Sequence, residues 1–419
     1  MREGNEKTMA EEQKLYIGID LNDSYAMVSF ATTTHQEPET VSSVAGSEIF
    51  QIPLAVCMAE ASGQWVYGDE AIRFEKADMG KCEGHLLTRS LERDYTIIRD
   101  QTYEIRSLLA VFIKKILLLA GKLGPKIEIG KVVFTFRKLS VPLMEVMEYV
   151  FEQLPVPRKK ITVMDYMKSF YYYALNQKDG LAIHDIAMYQ YYGKSMVCWY
   201  LSRGKQSRPQ LVQILETDCG YLTEDKDASF SEIIPKVFEK RIISSVYLVG
   251  EGFEGEWMKH SLRVLCQGRR AFLGKNLFSK GACYAAEILD GILPWNYAYM
   301  GENEMKFNIS LKVRKDNEMA FHTLISAGEN WYEAKGICEV ILDGPGEIDF
   351  WIQMPNSREA RIESLELTNL PSRPPKTTRL RIQAKPASDR SVKLTIRDLG
   401  LGEFFKASDK VWEYVMKVD

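Results

Sequence analysis

The spacing of apolar residues changes character along the chain. Up to about residue 300, short apolar runs alternate with helical repeats, and beyond it only short strand-like runs follow one another. Residues 14–32 (KLYIGIDLNDSYAMVSFAT) place two such runs around the polar tip Asn22-Asp23-Ser24, the pattern of a β-hairpin. A further strand is expected over 51–57 and a charged helix from Asp69. In residues 103–119 the positions Ile105, Leu108, Leu109, Phe112, Ile116 and Leu119 recur at helical spacing, with Gly121 and Gly124-Pro125 as stops.

The pattern then predicts a strand at 131–136, an amphipathic helix at 141–154 closed by Pro155 and Pro157, a strand at 161–164 and a Tyr-rich helix at 167–176. Residues 183–202 read as two strands about a turn near Tyr192-Gly193-Lys194, and 209–217 as a third. Helices at 232–240 and 281–288 bracket a buried strand at 245–249. From Met305 onward, seven runs at 305–313, 319–326, 336–342, 348–353, 361–367, 378–384 and 391–396 read as strands with Gly, Pro, Asn and Asp between them. That half is expected to be a β-sandwich, joined through a linker at 295–303.

Composition narrows the class. The 419 residues are 46% hydrophobic and 26% charged, an ordinary globular balance that excludes a disordered, collagenous or membrane-spanning chain. Lys and Arg number 54 against 57 Asp and Glu, a net charge of −3. So near neutrality there is no general field for nucleic acid or anionic lipid, and neither is expected as a partner. The seven cysteines (57, 82, 198, 219, 266, 283, 338) show no CxxC spacing and read as buried reduced thiols of a cytoplasmic protein. The five histidines stand too far apart for a helical zinc pair. Residues 1–14 are polar, without the apolar core of a secretory signal, and 1–13 read as a disordered leader. The most apolar run, 108–120, is interrupted by Lys114 and Lys115 and is too short to span a bilayer.

Ile17-Gly18-Ile19-Asp20-Leu21-Asn22-Asp23-Ser24 resembles the first phosphate motif of the actin-like ATPase superfamily, and more narrowly that of the DnaK-like chaperones (heat shock protein 70). Other stretches resemble the family in order. They are Ile52-Pro53-Leu54 with Val66-Tyr67-Gly68-Asp69-Glu70-Ala71, then 103–119, 131–136, Val246-Tyr247-Leu248-Val249-Gly250-Glu251-Gly252, Gly281-Ala282-Cys283 and, in the β half, Leu365-Glu366-Leu367-Thr368-Asn369-Leu370-Pro371. The resemblance implies an α/β actin-like (ribonuclease H-like) two-lobe fold. Lobe I would run over 14–180 and a reduced lobe II over 181–300, with a chaperone-like β-sandwich at 301–419. It implies an ATP/Mg²⁺ site on Gly18, Asp20, Asn22, Asp23, Ser24, Gly193, Lys194, Ser195, Gly250 and Gly252. Asp20 would be the metal ligand, and Asp20 and Asp23 the catalytic candidates.

The departures point away from turnover. The second phosphate hairpin reads Met188-Tyr189-Gln190-Tyr191-Tyr192-Gly193-Lys194-Ser195, with Gln190 in place of an Asp and tyrosines in place of small residues. Backbone approaches phosphate past glycine, not past a bulky side chain, and Mg²⁺ favours carboxylates. Tyr166-Met167-Lys168-Ser169 lacks the family's catalytic carboxylate, Asp165 standing one residue early. Most of the adenine-clamping subdomain and the helical lid are missing, and only residues 217–244 stand where that subdomain would be. Asp20 and Asp23 are equally explained by hairpin-turn chemistry, Lys194 by a solvated turn, and Gly250 and Gly252 by a tight strand–helix turn.

The tyrosines 166, 171, 172, 173, 189, 191 and 192 read as core and rim packing, or as an aromatic plug of the old cleft or a partner surface. Ten Lys/Arg within 358–397 read as a solvated sheet face, or as a positive face for an acidic partner. The aromatic tail 402–415 either docks back or binds another chain. Three functions are therefore expected to compete: a non-catalytic chaperone-like scaffold binding protein or peptide partners, a remodelled ATPase using Asp20, Asp23 and Asp185, and a peptide-binding β module.

Overall fold

A strand buried along almost its whole length organises the first half of the chain. In β1 (Lys14–Leu21) every residue after Lys14 is buried, which a central strand covered on both faces requires. The computed structural model describes residues 13–43, 46–121, 127–178, 180–204, 209–355, 357 and 359–418. The leader over 1–12, the Gly124-Pro125 stop and Arg358 lie outside the described residues. The chain divides into two units, Met1–Ser202 with Ile214–Trp295, and Arg203–Gln213 with Asn296–Asp419.

In the first unit β1 pairs antiparallel with β2 (Tyr25–Thr32), and β2 with β3 (His35–Thr40) and β4 (Ile52–Pro53). A small sheet, β5 (Val56–Ala59), β6 (Trp65–Tyr67) and β7 (Gly80–Glu83), holds helix α1 (Asp69–Lys76). Here the thiol expectation is corrected. Cys57 and Cys82 face each other in the β5–β7 register and are joined as a disulfide. Cys198 and Cys283 are free and buried, whereas Cys266 is exposed. The chain continues through α2 (Leu86–Leu91), the hairpin β8 (Tyr95–Ile98) and β9 (Gln101–Glu104), and helix α3 (Ile105–Gly121). Then come β10 (Glu128–Phe136), α4 (Val141–Glu152), β11 (Ile161–Asp165) and α5 (Tyr166–Leu175). The strands β10 and β11 run parallel to β1, giving the order β11-β10-β1-β2-β3.

The same arrangement is built a second time. β12 (Asp185–Tyr192) pairs antiparallel with β13 (Ser195–Arg203), whose other neighbour is β14 (Gln210–Tyr221). After α6 (Lys226–Phe238), β15 (Ile243–Val249) runs parallel to β12. After α7 (His260–Leu265), β16 (Arg270–Leu273) runs parallel to β15. The order β16-β15-β12-β13-β14 repeats that of the first sheet, a meander whose first strand carries two parallel strands on its far side.

Helix α8 (Leu277–Leu289) returns from this second half onto β1 and α5. Its approach is set by two glycines. A Cβ on Gly18 would stand 2.2 Å from the Cys283 nitrogen and the Ser279 carbonyl oxygen, and one on Gly281 would stand 2.1 Å from the Ser169 carbonyl oxygen. Polar contacts reinforce the seam. Ser29 Oγ and Ser279 Oγ lie 2.8 Å apart, and Ser169 Oγ donates to the Phe278 carbonyl at 2.6 Å.

In the second unit, β17 (Tyr297–Tyr299), inside the stretch expected as linker, pairs with Gln210–Val212. The strands β18 (Asn308–Lys315), β19 (Glu318–Ile325), β20 (Gly336–Leu342), β21 (Glu347–Gln353) and β22 (Ala360–Glu366) follow. β23 (Thr378–Ser388), β24 (Ser391–Asp398) and β25 (Val411–Lys417) complete the unit. They form two four-stranded sheets, β19-β18-β21-β22 and β20-β23-β24-β25. Phe307, Ile309 and Phe350 share one apolar core with Leu380, Ile396 and Met416. The aromatic tail docks back as β25, where Trp412 Nε1 donates to the Thr368 carbonyl at 2.9 Å. Beside it Arg373 grips the buried Asp398 with two hydrogen bonds of 2.9 and 2.8 Å. Burial pushes the Asp398 carboxyl up, but Arg373, the Ser408 hydroxyl and the backbone N–H groups of Gly400 and Ser408 outweigh it and hold it below the usual carboxylate range.

The packing of α8 yields a stability test. Gly18→Ala has no flexible neighbour to displace, so chemical denaturation is expected to show a loss of about 3 kcal/mol. Gly193→Ala sits in an open turn with φ 63°; it should cost about 1 kcal/mol through backbone strain alone.

Candidate functional site

Parallel strands from both sheets of the first unit end on a cleft of 710 Å³. Ligand sites of open α/β sheets lie beyond the carboxyl ends of such strands. The end of β1 supplies Asp20, and the loop after it Asn22, Ser24 and Tyr25. Arg137 follows β10, Tyr166 follows β11, Tyr192 ends β12, and Gly250 and Glu251 follow β15. Leu273, Lys275 and Phe278 come from the run into α8, and Glu48 to Gln51 from the chain before β4.

Asp20 forms the floor. It is 1% exposed, and the Tyr166 hydroxyl donates to its Oδ1 at 2.6 Å. Burial pushes the Asp20 carboxyl up to about 7, although the Tyr166 hydrogen bond pulls the other way. Tyr166 itself stacks on Phe278 with ring centroids 3.8 Å apart. Burial and the neighbouring Asp20 carboxylate raise the Tyr25 phenol, and burial with the Tyr25 and Asp20 charges raises that of Tyr192. Arg137 lies over the Tyr192 ring, 5.5 Å from its centroid. Lys275 is paired with Glu48 at 3.5 Å.

The backbone N–H groups of Ser24, Tyr25 and Gly193, in the turns expected from sequence to hold phosphate, already have acceptors. Asn22 Oδ1 accepts from the N–H groups of Ser24 and Tyr25 at 2.9 and 3.0 Å, an Asx turn. The Gly193 N–H donates to Glu251 Oε1 at 2.9 Å. An internal amide oxygen and an internal carboxylate thus satisfy these three donors.

Of the residues expected from sequence, Asp20, Asn22, Ser24 and Gly250 line the cleft. The others are drawn elsewhere, and the expectation is corrected for them. Asp23 turns away to cap α2, its Oδ1 accepting from the Thr88 N–H at 2.8 Å and its Oδ2 meeting His85 Nδ1 at 2.8 Å. Gly18 lies mid-strand under α8. Gly193 and Lys194 form the two-residue turn between Tyr192 and Ser195, and Gly193, Lys194 and Ser195 are all exposed. Gly252 is required because a Cβ there would stand 2.3 Å from the Tyr191 ring. Asp185 sits at the start of β12, away from its cleft end, and pairs with Arg241 at 3.0 Å. Asp165 caps α5 through the Lys168 N–H at 2.7 Å, and Gln190 accepts from Trp199 Nε1 at 3.0 Å.

The tyrosine set also divides. Tyr166 and Tyr192 line the cleft. Tyr189 and Tyr191 belong to a buried cluster with Phe230 and Phe253. Tyr171 and Tyr172 pack on Trp295, and Tyr173 on Tyr247. Sequence reasoning passed over Tyr25, Phe50, Arg137, Glu251, Lys275 and Phe278. Two of these had a usable position signal: Arg137 directly follows the 131–136 strand, and Glu251 stands between the two glycines already singled out.

The buried carboxyl makes stability depend on pH. An unfolded Asp titrates near 4, so between that value and about 7 the folded state holds a proton that the unfolded chain has lost. Stability therefore falls as pH rises through this window. Glu287, pushed up to about 8 by burial, acts in the same direction. Asp20→Asn removes only the first contribution. It is expected to gain about 2 kcal/mol over wild type at about pH 8 and to lose that advantage near pH 4, measured by denaturant unfolding at each pH.

Among the described residues no group of three or more His, Cys, Asp and Glu side chains is placed to hold a metal ion, and no helix is long and apolar enough to cross a membrane. No curated protein matches the chain. Residues 304–418, most of the second unit, match a domain of unknown function, DUF8552. Residues 37–302 match the profile described as "Family of unknown function (DUF5716) C-terminal", which starts after the β1–β2 hairpin that carries Asp20. With well over half of its length in that match, the chain belongs to the DUF5716 family.

Proposed function

We propose that the chain is a non-catalytic, chaperone-like scaffold on a trimmed actin-like fold, which binds protein or peptide partners and does not turn over ATP. The repeated strand order of the two sheets, with a cleft at the parallel strand ends, supports the actin-like reading. One observation carries the non-catalytic reading: Asn22 and Glu251 occupy the backbone donors of both phosphate loops. An incoming phosphate must break those internal hydrogen bonds before it gains its own. The charge of the cleft argues the same way. Asp20, Glu48, Glu251 and Glu254 line it against Arg137 and Lys275, and Lys275 is already paired with Glu48. Tyr166 lines the cleft where the family carries a carboxylate, and Tyr192 where it carries a small residue.

The location of the cleft and its perturbed carboxyl favour a second reading, a remodelled ATP-binding site. Thermal melting with and without millimolar Mg-ATP separates the two, because a ligand that binds only the native state must raise the melting temperature. The proposal expects no shift and no phosphate release. A rise of several degrees that Asp20→Ala abolishes would establish the second reading instead.

A further inference from the structure

The solvent face of the β20-β23-β24-β25 sheet carries an uncompensated charge. Alternation along the strands turns Arg379, Arg381, Lys385, Lys393, Arg397 and Lys417 outward, while the intervening residues fill the core. Against these six cations the same face presents two carboxylates, Glu339 and Glu413, among the described residues. Glu339 is shared by Arg381 at 2.7 Å and Arg379 at 3.8 Å, and Glu413 is taken by Lys393 at 2.8 Å. Among the described residues Lys385, Arg397 and Lys417 are within ion-pair distance of no carboxylate.

The register sharpens the point. Arg381 stands directly opposite Arg397, and Lys385 directly opposite Lys393. Like charges in directly opposed positions destabilise an antiparallel pair, and two such pairs stand on this face, separated by the neutral pair Gln383–Thr395. Such a cost to folding fits a surface that is completed by something else.

We propose that this face binds an extended acidic polypeptide segment whose carboxylates alternate with aliphatic side chains. The carboxylates would lie over the central rows of Arg381 with Arg397 and Lys385 with Lys393. The aliphatic positions match the outer strands, where Ile337 and Ile341 on β20 and Val411 and Val415 on β25 are 60, 53, 43 and 51% exposed. Nucleic acid is disfavoured because the face offers no ring for base stacking. Trp412 and Tyr414 turn to the other side, bonded to the Thr368 carbonyl and the Glu363 carboxylate. The chain's net charge of −3 also gives no long-range attraction for a polyanion.

The proposal rests on the partner-binding half of the reading above and is independent of what the cleft holds. Its test is fluorescence anisotropy on the full chain with a labelled peptide of alternating Glu and Val, the same peptide with Lys for Glu, a single-stranded oligonucleotide, and phosphatidylserine vesicles. The alternating acidic peptide is expected to bind, and the lysine peptide is not. Raising salt should weaken binding, and Arg381→Glu with Lys385→Glu should weaken it at least about tenfold. Arg397→Glu is expected to lose affinity while melting about one degree higher, because it replaces a repulsive cross-strand pair by an attractive one; a folding defect cannot give that combination. Tighter binding to the oligonucleotide or the vesicles than to the peptide overturns the proposal, as does no peptide binding at low salt. Peptide binding that none of the charge reversals weakens also overturns this surface, yet leaves the scaffold reading standing.

Discussion

The close approach of α8 to β1 is the constraint on which the first unit depends. Backbone meets backbone there, because Gly18 leaves no room for a Cβ under α8, and Gly281 brings the same helix equally close to Ser169 of α5. The chain of the second half is thereby locked onto the sheet of the first. The start of α8 then falls at the carboxyl end of β1, where Phe278 stacks on Tyr166 and Tyr166 reaches Asp20. Packing at the seam therefore determines the floor of the cleft, and a buried carboxyl with a raised pKa is one result.

In the proposed function, that floor disfavours an anion in the cleft. Desolvation disfavours the charged form of Asp20, and the surrounding phenols offer one donor where a metal would want several oxygens. Above the floor, loops that would present bare N–H groups have turned them onto Asn22 and Glu251. Each of these contacts is modest by itself, worth about 1 kcal/mol. Under the proposed function, they stand in for the interactions that a nucleotide would otherwise make. The second unit shows the opposite arrangement, a sheet face whose cations exceed its own carboxylates.

Much of the architecture was legible in the sequence because strand and helix periods are local properties. The 14–32 hairpin, the helix within 103–119 and the strands at 131–136 and 245–249 all stand as elements, displaced by a few residues at their ends. The edges were not legible. β25 reads as an aromatic tail until β24 is there to pair with it, and β17 reads as linker until Gln210–Val212 lies beside it. The Cys57–Cys82 bond depends on the β5–β7 register, which spacing alone does not reveal.

The site was half legible for a similar reason. Asp20 lies at the end of β1, and Asn22, Ser24 and Gly250 lie within three residues after a strand, so a linear motif reaches them. The cap that Asp23 forms was not legible because its partners, His85 and Thr88, lie more than sixty residues away. Glu251 was missed because its acceptor role appears only once the Gly193 turn is folded against it. Amide hydrogen exchange at Ser24, Tyr25 and Gly193, with and without millimolar Mg-ATP, tests the central claim most directly. The account predicts the same exchange rates in both, because these donors are already satisfied from within; slowing of all three on addition of Mg-ATP would contradict it.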